Sequence, residues 1–287
     1  IISHRFVVDG ESTAPPGHRD VVGPILITLG LAGVIGGMTS GPDAGFTSPL
    51  VLGAIVGGVA LIVAFLLVER RSAAPLLPLD VFASRQFTGA NLTTLLVYAA
   101  LTSLFLLLML ELQNVLGYSA LKAGASLLPI NALMLGLSPY AGRLAARIGA
   151  RLPMMCGASI AAVGMALFTR VHSGGSYVSD VLPAVIVFGL GLSLFVAPLT
   201  AAVLGAVPSE RVGVASAVNN AVSRLAGLLA TAIVPFAAGI SGASALQSAS
   251  LSRGFTRGMW ISAGLCAVGA LVAALTISGK SDRVARS

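Results

Sequence analysis

Few side chains in this sequence could do chemistry, and they are widely spaced. Arg224 stands alone in a long apolar run, and Glu111 is the one acid inside another. A guanidinium in such a place can hold an anion or a polar substrate group, or it can pair with helix carbonyls. A carboxyl there can take up and release a proton, but Glu111 falls late in its run, where an interfacial position is expected. Polar residues also recur at helical spacing in three runs. One stripe holds Asn91, Thr94, Tyr98, Thr102, Phe105 and Met109; a second holds Ser216, Asn220, Arg224, Gly227 and Thr231; a third holds Asn131, Ser138 and Gly142. Such stripes can line a water-filled path for amphipathic molecules, or they can be seams where small and polar residues let helices approach. Both readings stand at this point.

Covalent chemistry is not indicated. His4, His18 and His172 are isolated, without metal-ligand spacing, and no Ser/His/Asp or HExxH arrangement occurs. Cys156 and Cys266 lie in apolar runs and read as small core residues, neither a metal pair nor a disulfide. Ala274 to Ser281, ALTISGKS, fits a relaxed phosphate-loop pattern, but an apolar span precedes it where that mechanism needs a strand. No enzyme, metal site or cofactor is expected.

The elements that must position these residues follow from composition. The chain has 287 residues, 56% of them hydrophobic and 9% charged, with a mean hydropathy of +0.96. Soluble domains carry about 25% charged residues, so this chain cannot cover a water-exposed globule. That excludes a soluble enzyme, a disordered tail and a nucleic-acid module. A helix crossing the bilayer needs about 20 mostly apolar residues. Eight runs meet that length, at 21–39, 49–68, 88–111, 122–141, 152–169, 181–205, 214–238 and 258–278. The expected fold class is therefore all-α, a polytopic membrane bundle of about eight helices. Gly53 and Gly57 form a GxxxG pattern in the second run and predict a helix contact there.

Charge sets the expected orientation, because Lys and Arg are retained on the cytoplasmic side. With the N-terminus inside, twelve of the 17 basic residues fall on cytoplasmic segments, and Lys122, Arg170, Arg253 and Arg257 fall outside. Both termini are then cytoplasmic in a multi-pass protein of the cell membrane. The excess of positive charge needs no nucleic acid to explain it.

The organisation reads as a cytoplasmic loop (1–20), a two-helix hairpin (21–68), an interfacial linker (69–87), a six-helix block (88–278) and a cytoplasmic tail (279–287). The linker mixes charge with Leu76, Leu77, Leu79, Val81 and Phe82, as expected of a segment lying along the headgroup boundary. The chain opens IISHRFVVDG, without an initiator Met, and is expected to be an internal piece of a longer protein.

The strongest motif is GRLAARIGAR, Gly142 to Arg151, placed in a short loop between the fourth and fifth runs. Gly142, Arg143, Arg147, Gly149 and Arg151 in this order resemble the G-x-L-A-D-R-x-G-R motif of the major facilitator superfamily. Ala146 stands where that motif carries Asp, so a charge relay through this position is missing. ERRSAAPLLPLDVF (69–82), LQNVLGYSALKAGASLLP (112–129) and GVASAVNNAVSRLAGLLATA (213–232) resemble the fourteen-helix drug:proton antiporter branch of that superfamily. The resemblance implies a central two-helix insert followed by the C-terminal six helices. It implies partners as well: a missing N-terminal six-helix half, the lipid bilayer, a small-molecule substrate and protons. Substrate and coupling sites would lie near the midplane between the halves, and transport would proceed by alternating access. A metabolite transporter of the same superfamily and a non-transporting membrane scaffold are the competing expectations.

Overall fold

A computed structural model of the chain describes residues 22–72, 79–240 and 248–279. Among these residues the structure is helical throughout. Helices α1 (Val22–Ala44) and α2 (Pro49–Arg71) form a hairpin. A 3₁₀ turn at Leu79–Ala83 leads into α3 (Arg85–Asn114), and α4 (Ala120–Ala125) is a short turn before α5 (Leu128–Ile148). The chain continues through α6 (Arg151–Phe168), α7 (Leu182–Leu204), α8 (Val212–Ala237) and α9 (Ser248–Thr276). With α4 joined to α5, eight segments are long and apolar enough to cross a membrane. The protein is a multi-pass membrane bundle.

The glycines explain how the helices approach. Lipid tails are as apolar as Leu, so close van der Waals contact between backbones must supply the attraction that water supplies in soluble cores. In the α6–α7 pair, a Cβ on Gly164 would lie 2.6 Å from the Phe188 amide nitrogen, and one on Gly157 would lie 2.8 Å from the Gly191 carbonyl. The hairpin uses the same device: Gly58 sits where a Cβ would be 2.6 Å from the Gly30 carbonyl. Gly53 and Gly57, the GxxxG pair, are exposed with open space around them. The expected glycine contact therefore exists one residue away, because a single step turns a helical position by about 100°.

The most buried layer is built by α3, α6, α7 and α9, with Phe87, Leu104, Met154, Phe168, Phe188, Phe195, Phe255 and Cys266 at its centre. α5 lies against α7 and α8 against α3, so both flank this layer and keep broad exposed faces. Leu50, Leu135 and Trp260 are among the large exposed apolar residues, as expected where lipid is the solvent. The hairpin reaches the block along α8, with Phe46 set edge-on to Phe236 at 5.0 Å between ring centroids.

Two expectations change. α9 begins at Ser248 and not near residue 258, because Arg253 and Arg257 sit exposed on one face of a helix that continues past them. That added length brings Ser252 beside Glu111, which is buried within the protein in the last turn of α3. Cys156 is exposed on α6; Cys266 is buried with its sulfur 3.8 Å from the Met165 sulfur, and both thiols are free. The 1–20 segment and most of the tail lie outside the described residues.

Candidate functional site

α3 and α8 supply most of the polar side chains at membrane depth. The first turn of α3 is fixed by Ser84, whose hydroxyl accepts the Phe87 amide. From there Asn91 and Thr94 point inward and are buried, with Asn91 donating to the Phe87 carbonyl at 2.9 Å and Thr94 donating to the Ala90 carbonyl at 2.9 Å. Both still have acceptor capacity. Asn219 on α8 fills it, its Nδ2 reaching Thr94 Oγ1 at 2.7 Å and Asn91 Oδ1 at 3.2 Å. Two turns on, the Thr102 hydroxyl donates to the Tyr98 carbonyl at 3.0 Å, and Gly227 of α8 comes so close that a Cβ would stand 3.1 Å from that hydroxyl. Tyr98 is half-buried beside the core. Here the α3 stripe is a seam that clips α8 in register.

Asn219 was not singled out from the sequence; its neighbour Asn220 was. A signal existed, since Ala215, Asn219, Ala226 and Ala230 share one face of α8 and the three alanines are buried. Asn220 lies on the opposite, exposed face together with Gly213, Ala217, Arg224, Leu228 and Thr231. Arg224 sits at the midpoint of α8, and its guanidinium makes no hydrogen bond or ion pair among the described residues. Two hydroxyls of this helix turn back on it: Ser223 donates to the Asn220 carbonyl and Thr231 to the Leu228 carbonyl, each at 2.8 Å. Asn131 is exposed near the start of α5, and no bond links it to the α8 face.

The GRLAARIGAR segment is mostly helix, not loop. α5 runs through Ile148, so Gly142, Arg143 and Arg147 belong to its last turns, and the turn itself is only Gly149 and Ala150. Gly149 has φ +91° and ψ 161°, a conformation essentially restricted to glycine, and its amide closes the helix on the Ala145 carbonyl. Arg143 stacks on the Tyr140 ring at 4.5 Å, Arg147 is exposed, and Arg151 is the first residue of α6. Gly142 faces α7, where a Cβ would make ordinary contact with Ala197 at 3.7 Å.

These arginines gather at one end of the bundle, with Arg70, Arg71, Arg85 and Arg211. At this basic end Arg85 donates to the Leu275 carbonyl at 2.8 Å, Gln86 donates to the Ala202 carbonyl at 3.0 Å, and Arg211 pairs with Asp80. The Arg211 guanidinium holds the Asp80 carboxyl below the usual carboxylate range. At the opposite end Lys122 lies over the Tyr118 ring at 3.8 Å, and the Tyr177 hydroxyl donates to the Ser126 carbonyl at 3.0 Å. No group of three or more metal-binding side chains occurs among the described residues.

An apolar helical bundle with a glycine-closed basic turn and one polar face at membrane depth defines a class that the comparisons make specific. The family model of the Major Facilitator Superfamily matches residues 21–231, and the chain belongs to that superfamily. It is similar to the puromycin resistance protein of Streptomyces alboniger, 33% identical over 237 residues, covering 82% of this chain and 47% of that protein. The multidrug resistance protein Stp of Mycobacterium tuberculosis is 32% identical over 207 residues, or 70% of this chain and 37% of that protein. The lincomycin resistance protein of Streptomyces lincolnensis is 30% identical over 233 residues, 81% of this chain and 48% of that protein. The chain spans about half the length of the curated relatives it matches.

Proposed function

We propose that this chain is the C-terminal portion of a proton-driven exporter of drugs or other amphipathic small molecules, of the fourteen-helix branch. The observation that carries this reading is the α8 face centred on Arg224. A charge at the bilayer centre facing lipid costs about 2.5–3.5 kcal/mol on insertion scales. An exposed, unbonded guanidinium at mid-helix therefore faces water or a second protein unit, and a translocation path between two halves supplies both. The names of the resistance proteins above agree with a drug substrate. The basic end is read as cytoplasmic, which places both termini of the chain inside the cell. Asn220 and Arg224 are the substrate-path candidates on α8 and Asn131 on α5, while Asn91, Thr94 and Thr102 fix the α8 position from behind. Gly142 to Arg151 is the conformational hinge at the cytoplasmic rim, and Ala146 leaves it without an acid of its own.

Proton coupling requires a carboxyl near mid-depth. In α3 to α9 the described acids lie elsewhere: Glu111 is in the last turn of α3, and Asp180 and Glu210 flank helices. The coupling acid is accordingly assigned to the N-terminal six helices. The experiment is reconstitution of the full-length protein in vesicles with an imposed pH gradient and a fluorescent amphipathic cation. Gradient-driven movement by the full-length protein, and none by the 287-residue chain alone, is the expected result. Equal transport by the chain alone, abolished by Glu111→Gln, would overturn the assignment.

A further inference from the structure

At the basic end, a cleft of about 740 Å³ opens where α3 and α6 begin and α7 and α9 end. Ser84, Arg85, Gln86, Arg151, Thr276 and Ser278 present its polar groups, and among the described residues none that lines it is acidic. The nearest acid in sequence, Asp80, is already paired with Arg211. Two helix C-termini also face this space and by themselves would favour a cation. Their carbonyls are partly taken, however, that of Leu275 by Arg85 and that of Ala202 by Gln86. Arg85 thereby spends one of its five N–H donors and is held at the rim, and the Arg151 guanidinium makes no hydrogen bond or ion pair among the described residues. The N-cap of α6, Ala150, offers no side chain to its first amides, so that end is uncapped for an incoming anion.

We propose that this cleft binds a phosphate-bearing anion, with the guanidinium of Arg151 as the main contact and that of Arg85 as the second. A guanidinium matches phosphate oxygens in a two-point fork, which a compact ammonium cannot do. The cleft is much larger than a phosphate ion, and it lies at the ends of membrane-spanning helices, the depth at which lipid headgroups sit. Apolar Leu275 and Ile277 share its lining, which suits the glycerol and first methylenes below an anionic headgroup. The site is separate from the α8 face and does not depend on what the protein transports.

The test is native mass spectrometry of the full-length protein released from detergent with phosphatidylglycerol, phosphatidylcholine or inorganic phosphate added. Retained phosphatidylglycerol with no retained phosphatidylcholine identifies a lipid headgroup; a phosphate adduct that displaces the lipid identifies a soluble anion as a second occupant. In either case Arg151→Gln weakens binding about tenfold, the usual effect of losing one charge-assisted pair, and Arg151→Lys loses less. Arg151→Gln is the informative variant because Arg151 makes no bond that folding needs, whereas Arg85→Gln also removes the tie to Leu275. Phosphatidylglycerol and phosphatidylcholine held equally, no phosphate-bearing anion retained, or retention unchanged by Arg151→Gln would each overturn the proposal.

Discussion

Asn219 on α8 donates from a single amide nitrogen to Thr94 Oγ1 at 2.7 Å and to Asn91 Oδ1 at 3.2 Å on α3, so one side chain fixes two helices in register. Both acceptors are buried, and nothing else among the described residues reaches them from α8. Interhelical hydrogen bonds of this kind in membranes contribute about 0.6–2 kcal/mol. Asn219→Ala is expected to lower stability by that amount, read as a lower midpoint of thermal unfolding in detergent. Asn220→Ala should leave the midpoint nearly unchanged. Equal losses from the two would contradict the assignment of Asn219 to the seam and Asn220 to the open face.

The α6–α7 contact allows no side chain at Gly164, because the atoms facing it are the Phe188 amide nitrogen and Cα, 2.6 and 2.7 Å from an ideal Cβ. Backbone cannot move aside as a flexible side chain can, so overpacking here should cost about 1–3 kcal/mol or more. Gly164→Ala is expected to reduce folded protein recovered from membranes. Gly136→Ala, with open space around its Cβ, should be neutral or slightly stabilising. Normal recovery of Gly164→Ala would mean that the helices sit farther apart than described.

The turn at Gly149 tests the backbone of the GRLAARIGAR segment. Its φ of +91° with ψ of 161° strains any residue bearing a Cβ, at about 1–3 kcal/mol. Gly149→Ala should lower stability, whereas Ala146→Ser one turn earlier, at an exposed position, should not. A Gly149→Ala protein as stable as the parent would show that the turn adopts another conformation.

The Asp80–Arg211 pair predicts a pH dependence at the basic end. Arg211 lowers the folded-state value of the Asp80 carboxyl, so the pair's contribution is complete above the unfolded value and fades as pH falls through the lowered one. Both side chains are well exposed, so the effect is small and weakens with salt. The unfolding midpoint of Asp80→Asn should fall less on acidification than that of the parent, with the difference disappearing at high salt. A difference that grows on going from neutral to alkaline pH would have the wrong sign.

How much of this was legible beforehand depends on what each residue's neighbours are. The eight spans follow from length and hydropathy alone, because a bilayer imposes one ruler on every helix. The turn at Gly149 was visible as glycine among arginines, although the helix before it runs farther than polarity suggested, since an arginine on an exposed face does not end a helix. Asn219 and Gly58 were missed in favour of Asn220 and Gly57 because adjacent residues of the same type differ only in phase. That phase is set by the packing partner, which the sequence of one helix does not contain. The burial of Glu111 was hidden for a related reason: its cover includes Ser252 in the first turns of α9, whose charged residues hid that helix's true start.

The central claim is that Arg224 faces the translocation path. The most direct measurement is substrate efflux by the full-length protein carrying Arg224→Lys or Arg224→Ala, normalised to membrane abundance and to the unfolding midpoint. Since the guanidinium makes no bond within the described structure, both variants should keep parental abundance and stability. Transport should fall in both, with Lys retaining the charge but losing the planar fork. Parental transport by Arg224→Ala, or loss of abundance in step with loss of transport, would contradict the account.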